Sequence, residues 1–126
     1  MSDSAWRTQI AVLWLLQVIN FVSIIFISYI DTGQVAGTTP DSVGPLLAIY
    51  FFVFALLIWL AFGLKPAIGR WVHIVCGALI VLLKASYVVQ SLGGTNPWPF
   101  LFNESWGLVA AALLVWVAWR LPKAGR

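Results

Sequence analysis

Lys84 occupies the position in this 126-residue chain that most strongly suggests chemistry. It is the only lysine, arginine or carboxylate residue within the apolar segment 71–92. An ionisable side chain in the middle of a membrane-spanning segment costs a few kcal/mol, which makes it a candidate for a functional site. Such a residue needs a partner of opposite charge at the same depth.

Glu104 is the carboxylate that helix geometry places nearest to Lys84. At about 1.5 Å per residue, Lys84 lies about 18 Å from the start of its segment, and Glu104 lies about 24 Å from Arg120. The flexible lysine stem can cover the remaining difference of about 6 Å. Asp31 lies about 36 Å from Arg7 by the same count, which is too far. We therefore predict a Lys84–Glu104 ion pair, provided that the third and fourth helices are neighbours.

Two polar stripes accompany this pair. Their members recur at intervals of three or four residues, so each stripe occupies one face of a helix. Because an unsatisfied amide in hydrocarbon costs several kcal/mol, the stripes should face each other or a shared cavity. The stripes consist of Gln17, Asn20, Ile24, Ser28 and Asp31 on the first helix and of His73, Gly77, Ile80, Lys84, Tyr87 and Ser91 on the third.

The stripes allow two interpretations. In the first, they form an interhelical hydrogen-bond network that sets helix register, with Lys84 reaching Glu104. In the second, a path or pocket for an ion or small polar solute is lined by Lys84, Asn20, Gln17 and Tyr87. We predict that the protein is not an enzyme and has no catalytic residues, because the sequence lacks paired carboxylates in the membrane, a Cys-x-x-Cys motif and a Gly-rich phosphate loop.

Metal and cofactor binding have no support in the sequence. Cys76 is the only cysteine and His73 the only histidine, so neither has a second residue of its kind with which to hold a metal or haem. We interpret Cys76 as a small packing residue and His73 as a belt or capping residue near the inner interface. An aromatic belt at the helix ends explains the tryptophans without a ligand; these are Trp6, Trp14, Trp59, Trp71, Trp98, Trp106, Trp116 and Trp119.

Four helices must position these residues. The chain is 62% hydrophobic and only 9% charged, whereas a soluble domain is about half apolar and about one quarter charged. A helix needs about 20 apolar residues to cross a bilayer. We predict an all-α membrane protein with one domain over residues 1–126, a four-helix transmembrane bundle with helices at 8–30, 43–64, 71–92 and 102–121. The alternative that residues 8–30 are a cleaved signal peptide is disfavoured because the apolar run is too long.

The segments that connect the predicted helices lead to further predictions. The short connection 63–70 should make the second and third helices antiparallel neighbours, and the last helix should be the shortest span. The aromatic segment 93–103 contains Pro97 and Pro99 and is expected to lie on the outer interface, as an anchor or as a lid over a cavity. The second helix has little polar character beyond Tyr50, so it should face lipid or a partner.

Charge placement predicts the orientation. Basic residues occur at both termini and in the second connection, whereas the first and third connections have none; they are Arg7, Lys65, Arg70, Arg120, Lys123 and Arg126. Short loops rich in lysine and arginine stay cytoplasmic, so both termini should be cytoplasmic. This topology accounts for the net charge of +3, and nucleic acid is not an expected partner.

Three segments together resemble a family of small four-span bacterial membrane proteins of unknown function. They are Ala11–Trp14 in the first helix, Leu64–Ile74 around the second connection, and Leu114–Lys123 at the end of the chain. The resemblance implies a multi-pass protein of the bacterial inner (plasma) membrane and no particular activity.

The functional hypotheses follow from this architecture. The first is a non-catalytic accessory or structural subunit that packs in a larger or homo-oligomeric membrane complex. One alternative is an oligomeric transporter or channel for a small solute or ion that uses Lys84. Another is a binder of an apolar ligand, such as a lipid, quinone or pigment. The expected partners are the lipid bilayer and other membrane subunits or further copies of the chain.

Overall fold

The computed structural model of the protein describes residues 3–32, 40–94 and 98–120 as an all-helical structure. Its helices are α1 (Asp3–Thr32), α2 (Pro40–Gly63), α3 (Pro66–Ser91) and α4 (Trp98–Trp119). Residues 33–39 of the first connection, residues 95–97 and residues 121–126 with Lys123 and Arg126 lie outside the described part. The same holds for the side chains of Ser28 and Asp31, which were expected to end the stripe on α1.

Three of the helices are long and apolar enough to cross a membrane. Their candidate spans are Ser4–Ile27, Pro66–Ser91 and Trp98–Trp119, and α2 contributes the shorter apolar segment Leu47–Gly63. The prediction that the last helix is the shortest is confirmed for the described residues, since α4 has 22 residues whereas α1, α2 and α3 have 30, 24 and 26. Helix α4 begins earlier than predicted, at Trp98 instead of near residue 102.

The start of α4 corrects the expectation of an aromatic loop. Trp98, Phe100 and Phe102 belong to the first turns of α4, and Pro99 lies among them. Proline fits there because the first N–H groups of a helix have no carbonyl partner within it, so the missing N–H costs little. Trp98 and Phe102 are still exposed by about three quarters, at 73% and 76%, so these aromatic side chains project outward from a helix.

The helices pack in the order α2, α1, α4, α3. Helix α4 contacts both α3 and α1, α2 packs on α1, and few residues of α2 touch α3. The prediction that the second and third helices are close neighbours is therefore wrong, although only Leu64 and Lys65 connect them. The physical reason lies in α4, whose buried face carries small residues that let α1 and α3 approach it closely; they are Gly107, Ala110, Ala111 and Ala118.

Two glycines permit the closest helix contacts. A Cβ atom at Gly77 of α3 would lie 2.8 Å from side-chain atoms of Leu114 and Val115 on α4. A Cβ atom at Gly107 of α4 would lie 2.6 Å from the side chain of Asn20 on α1. Both distances are below van der Waals contact, so a side chain at either position would force the facing side chains to shift, and glycine permits the close approach without such a shift.

Successive helices run antiparallel. Tyr50 of α2 stacks on Phe21 of α1 at a centroid distance of 4.4 Å, and Trp71 near the start of α3 meets Trp119 at the end of α4 at 6.3 Å. Arg7 near the start of α1 contacts the end of α2. The beginnings of α1 and α3 and the ends of α2 and α4 therefore lie at one end of the molecule, which we call the basic end after Arg7, Lys65, Arg70 and Arg120.

Two tryptophans lie inside the fold and not in a belt. Trp6 and Trp14 are completely buried, and they form the hydrophobic core with residues of α1, α2 and α4. The belt interpretation is wrong for these two because α1 turns this face toward its neighbours. The other core members are Ile10, Ala11, Phe54, Leu57, Ala61, Leu114 and Ala118, and Cys76 packs against them as predicted.

Candidate functional site

Lys84 and Glu104 form a buried ion pair. The ammonium nitrogen of Lys84 lies 3.3 Å from Oε2 of Glu104, and the two residues are only 6% and 2% exposed. The pair predicted from helix rise is therefore present, because α3 and α4 are adjacent and antiparallel. In a low-dielectric interior each charge would be very costly without the other, so the two residues depend on each other.

Asn20 connects this ion pair to α1. Its Oδ1 accepts a hydrogen bond from the Lys84 ammonium, and its Nδ2 donates to the backbone carbonyl of Asn103 at 2.6 Å. Asn103 returns a bond from its own Nδ2 to the Asn20 carbonyl at 3.3 Å. The stripes on α1 and α3 therefore meet at Asn20 and Lys84, as predicted, but α4 takes part in the contact as well.

Gln17 lies one turn from Asn20 and binds α4 in the same way. Its Nε2 donates to the carbonyl of Gly107 at 2.9 Å, and the side chain is 1% exposed. Three helices thus contribute to one buried group of polar side chains, which we call the interhelical polar cluster. Its members are Gln17 and Asn20 from α1, Lys84 from α3, and Asn103 and Glu104 from α4.

The interhelical polar cluster retains unused hydrogen-bond acceptors. Among the described residues, Oε1 of Gln17 and both carboxylate oxygens of Glu104 accept no hydrogen bond. Oε2 of Glu104 is close enough to Lys84 for charge attraction, but the alignment is not that of a hydrogen bond. A buried carboxylate can accept several hydrogen bonds, so these oxygens could bind a proton or a small hydrogen-bond donor.

Tyr87 lies at the edge of the cluster. The Lys84 ammonium is 6.0 Å from the centre of its ring, a distance at which a cation is attracted to the aromatic face. The side chain is 37% exposed. Lys84 therefore lies over the Tyr87 ring at the outer limit of this attraction, and the predicted role of Tyr87 in lining a pathway stays a prediction.

A second polar contact joins α1 and α3 nearer the basic end. The indole N–H of Trp14 donates to Nδ1 of His73 at 3.0 Å, and both side chains are completely buried. Since an indole nitrogen only donates, Nδ1 must be the acceptor, which assigns the imidazole proton to Nε2. The expectation that His73 is an interfacial belt or capping residue is wrong, because its stripe faces inward on α3.

Sequence reasoning missed Asn103 and the importance of Trp14. Asn103 precedes Gly107 by four residues, and this spacing continues along the buried face of α4 through Ala111. That small-residue pattern was a usable signal for the inward face. Trp14 precedes Gln17 by three residues, so helical spacing already placed it on the polar face of α1.

The described part of the chain holds no group of three or more histidine, cysteine, aspartate or glutamate residues arranged to bind a metal ion. It does contain an open apolar groove of about 460 Å³ between α1 and α4. The groove is lined mainly by apolar side chains, namely Leu16, Phe102, Ser105, Trp106, Val109, Ala110 and Leu113.

The fold defines the class of the protein: it is all-helical, and three of its helices are long and apolar enough to cross a membrane. No family model, curated protein or solved structure matches the chain. The resemblance to small four-span bacterial membrane proteins therefore stays a prediction.

Proposed function

We propose that this protein is a non-catalytic accessory subunit that packs through α2 against other membrane subunits or further copies of itself. The observation that carries the proposal is the peripheral position of α2, which packs on α1 and has few contacts with α3. A helix with one principal neighbour leaves most of its circumference available for lipid or a protein partner.

Several of the exposed side chains on α2 are large and aromatic. Phe52, Trp59 and Phe62 are each more than half exposed, and Phe51 is also exposed. Large aromatic side chains are enriched in protein interfaces because they contribute much contact area. We call Phe52, Trp59 and Phe62 the α2 aromatic face, and it is the proposed contact surface.

The interhelical polar cluster supports the same role. Its side chains join α1, α3 and α4 to one another. Interhelical hydrogen bonds of this kind hold the helices of a membrane protein in register. A rigid core formed by these three helices would present α2 in a defined position.

The membrane arrangement is part of the proposal. We infer four spans in a transmembrane bundle, with α2 as the fourth, and both termini in the cytoplasm of a bacterium whose inner membrane holds the protein. Support comes from the basic end, where Arg7, Lys65, Arg70 and Arg120 lie together, since such residues favour the cytoplasmic side.

Purification in a mild detergent tests the proposed subunit role. We expect the wild-type protein to elute with a partner, or as an oligomer, at fixed stoichiometry. A triple variant of the α2 aromatic face, Phe52→Ala, Trp59→Ala and Phe62→Ala, should release it as a monomer. The matched control alters three exposed apolar residues of α3, Leu79→Ala, Leu82→Ala and Val89→Ala, and should leave the assembly intact. A monomeric wild-type protein would overturn the proposal.

An ion or small-solute pathway is the second candidate, and the unused oxygens of Gln17 and Glu104 favour it. Such a protein would be oligomeric, because four helices enclose little volume. Flux of protons, small cations and small anions in proteoliposomes should then depend on Lys84. Equal flux for the wild-type protein, a Lys84→Met variant and empty liposomes would exclude this candidate.

The groove between α1 and α4 favours a third candidate, the binding of a lipid, quinone or pigment. Its lining offers contact to an apolar chain. Mass spectrometry of organic extracts should then recover one such compound at a fixed ratio to protein. A Val109→Trp variant, which adds bulk at an exposed position of the groove lining, should lose this compound, and recovery of mixed bulk lipid alone would contradict binding.

A further inference from the structure

The arginines at the basic end differ in what they contact. Arg7 is engaged within the protein, since its Nη1 lies 2.9 Å from the carbonyl oxygens of Ala61, Phe62 and Leu64. These carbonyls belong to the end of α2, where the last carbonyl groups of a helix lack partners in the helix itself. Arg7 therefore caps α2, and its Nη1 group is occupied within the protein.

Arg70 and Arg120 instead lie over tryptophan rings. The guanidinium carbon of Arg70 is 5.6 Å from the ring centre of Trp71 and 5.1 Å from that of Trp119. Arg120 lies 4.8 Å from the ring centre of Trp116. Because Trp71 and Trp119 also contact each other edge to face at 6.3 Å, the Arg70 side chain is held beside a fixed aromatic pair.

The hydrogen-bonding groups of these two arginines remain available. Within the described part of the chain neither guanidinium donates a hydrogen bond, and of the Arg70 nitrogens only Nε is buried without an acceptor, so the Nη groups are the donors that a phosphate would meet. A guanidinium presents five N–H donors in a planar fork that matches the oxygens of a phosphate. Stacking on an indole immobilises the group while leaving the edges of the fork free.

The surroundings indicate where the phosphate comes from. Trp71, Trp116 and Trp119 are each more than half exposed, and exposed tryptophans beside arginine at a span end prefer the headgroup level of a bilayer. Anionic headgroups attract basic residues at this level. A phosphate bound there would belong to a lipid whose acyl chains run along the apolar surface of α3 and α4.

We propose that Arg70 and Arg120, oriented by Trp71, Trp119 and Trp116, bind the phosphate group of an anionic phospholipid. The proposal rests on the placement of α3 and α4 in a membrane and is independent of the accessory-subunit role. Failure to bind lipid would leave the α2 contact untouched, and loss of the α2 contact would leave lipid binding untouched.

Native mass spectrometry of the full chain in detergent, with phosphatidylglycerol and phosphatidylcholine in equal amounts, tests this proposal. At an ionic strength that limits the Debye length to about 8 Å, long-range attraction is screened. We expect retention of phosphatidylglycerol to exceed that of phosphatidylcholine by about tenfold. Equal retention of the two lipids by the wild-type protein would overturn the proposal.

Variants distinguish a specific binding site from a general attraction between anionic lipid and the positive charge of the basic end. Arg70→Gln and Arg120→Gln should each remove most of the preference for phosphatidylglycerol. Lys65→Gln removes the same charge from an exposed residue at the same end, and this variant should keep the preference. Equal losses in all three variants would overturn the proposal. Arg70→Lys is the second variant if Arg70→Gln fails to fold, as judged by loss of its helical circular dichroism. It keeps the positive charge but should still weaken lipid binding, because lysine lacks the planar fork. Unchanged binding by Arg70→Lys would contradict the role of Arg70.

Inorganic phosphate separates the two sources of the anion. Added at millimolar concentration, it should leave phosphatidylglycerol bound, because the lipid also gains contacts through its acyl chains. Displacement of the lipid by inorganic phosphate would overturn the assignment to a phospholipid.

Discussion

The ammonium of Lys84 lies 3.3 Å from Oε2 of Glu104 in the interior of the protein. Both side chains are almost completely buried, so neither charge can be stabilised by bulk water if the other is removed. The pair also lies beside Asn20, which binds Lys84 and α4 at the same time. Removing either charge should therefore affect the packing of three helices.

The first prediction concerns this ion pair. Lys84→Met and Glu104→Gln should each destabilise the protein by about 3 kcal/mol, because each leaves a buried charge without its partner. The double variant should be more stable than either single variant, since no isolated charge remains. Thermal or denaturant unfolding in detergent would measure this coupling, and purely additive losses would contradict the pair's mutual dependence.

The second prediction concerns the close approach of α1 and α4. Gly107→Ala should destabilise the protein by about 1–3 kcal/mol, because the new methyl group would overlap the side chain of Asn20. Gly63→Ala is a suitable control, since its Cβ would lie 3.7 Å from Trp59 in ordinary contact. Unfolding midpoints measured under the same conditions should differ between the two variants, and equal midpoints would argue against the tight contact.

The third prediction concerns the imidazole of His73. With Trp14 donating to Nδ1, ¹⁵N NMR of the labelled protein should show the proton on Nε2. Trp14→Phe removes the hydrogen-bond donor, so the His73 proton should no longer be confined to Nε2. The same variant should lose about 1–2 kcal/mol of unfolding free energy. Trp59→Phe changes an exposed tryptophan and should alter neither quantity. A His73 spectrum that is the same with and without the Trp14 indole would contradict the contact.

The fourth prediction concerns orientation in the membrane. In a Cys76→Ala background, a membrane-impermeant maleimide applied to intact cells should label Gly94→Cys but not Lys65→Cys. Disruption of the membrane should expose Lys65→Cys to the reagent as well. The expectation follows from the basic residues near Lys65, which favour the cytoplasmic side. Labelling in the opposite pattern would reverse the proposed orientation.

Much of the candidate site could be predicted from spacing along the chain. A helix advances by a constant rise per residue and turns by a constant angle, so depth and face follow from residue number alone. This is why the partnership of Lys84 with Glu104 and the inward direction of Gln17 and Asn20 could be predicted from the sequence. The exposure of Tyr87 could not be predicted in this way, because a residue near the end of a stripe can turn toward the edge of the fold.

The sequence by itself determined the helical class, the long apolar segments and the depth of the buried charges, because these depend on local composition and helix geometry. Only the tertiary structure decided that α4 lies between α1 and α3, that Trp14 binds His73 and that Asn103 joins the cluster. Which helices pack side by side depends on how the surfaces of segments far apart in the sequence fit together, as Gly107 fits Asn20. Connection length does not specify that fit, and so the short connection between α2 and α3 did not make them close neighbours.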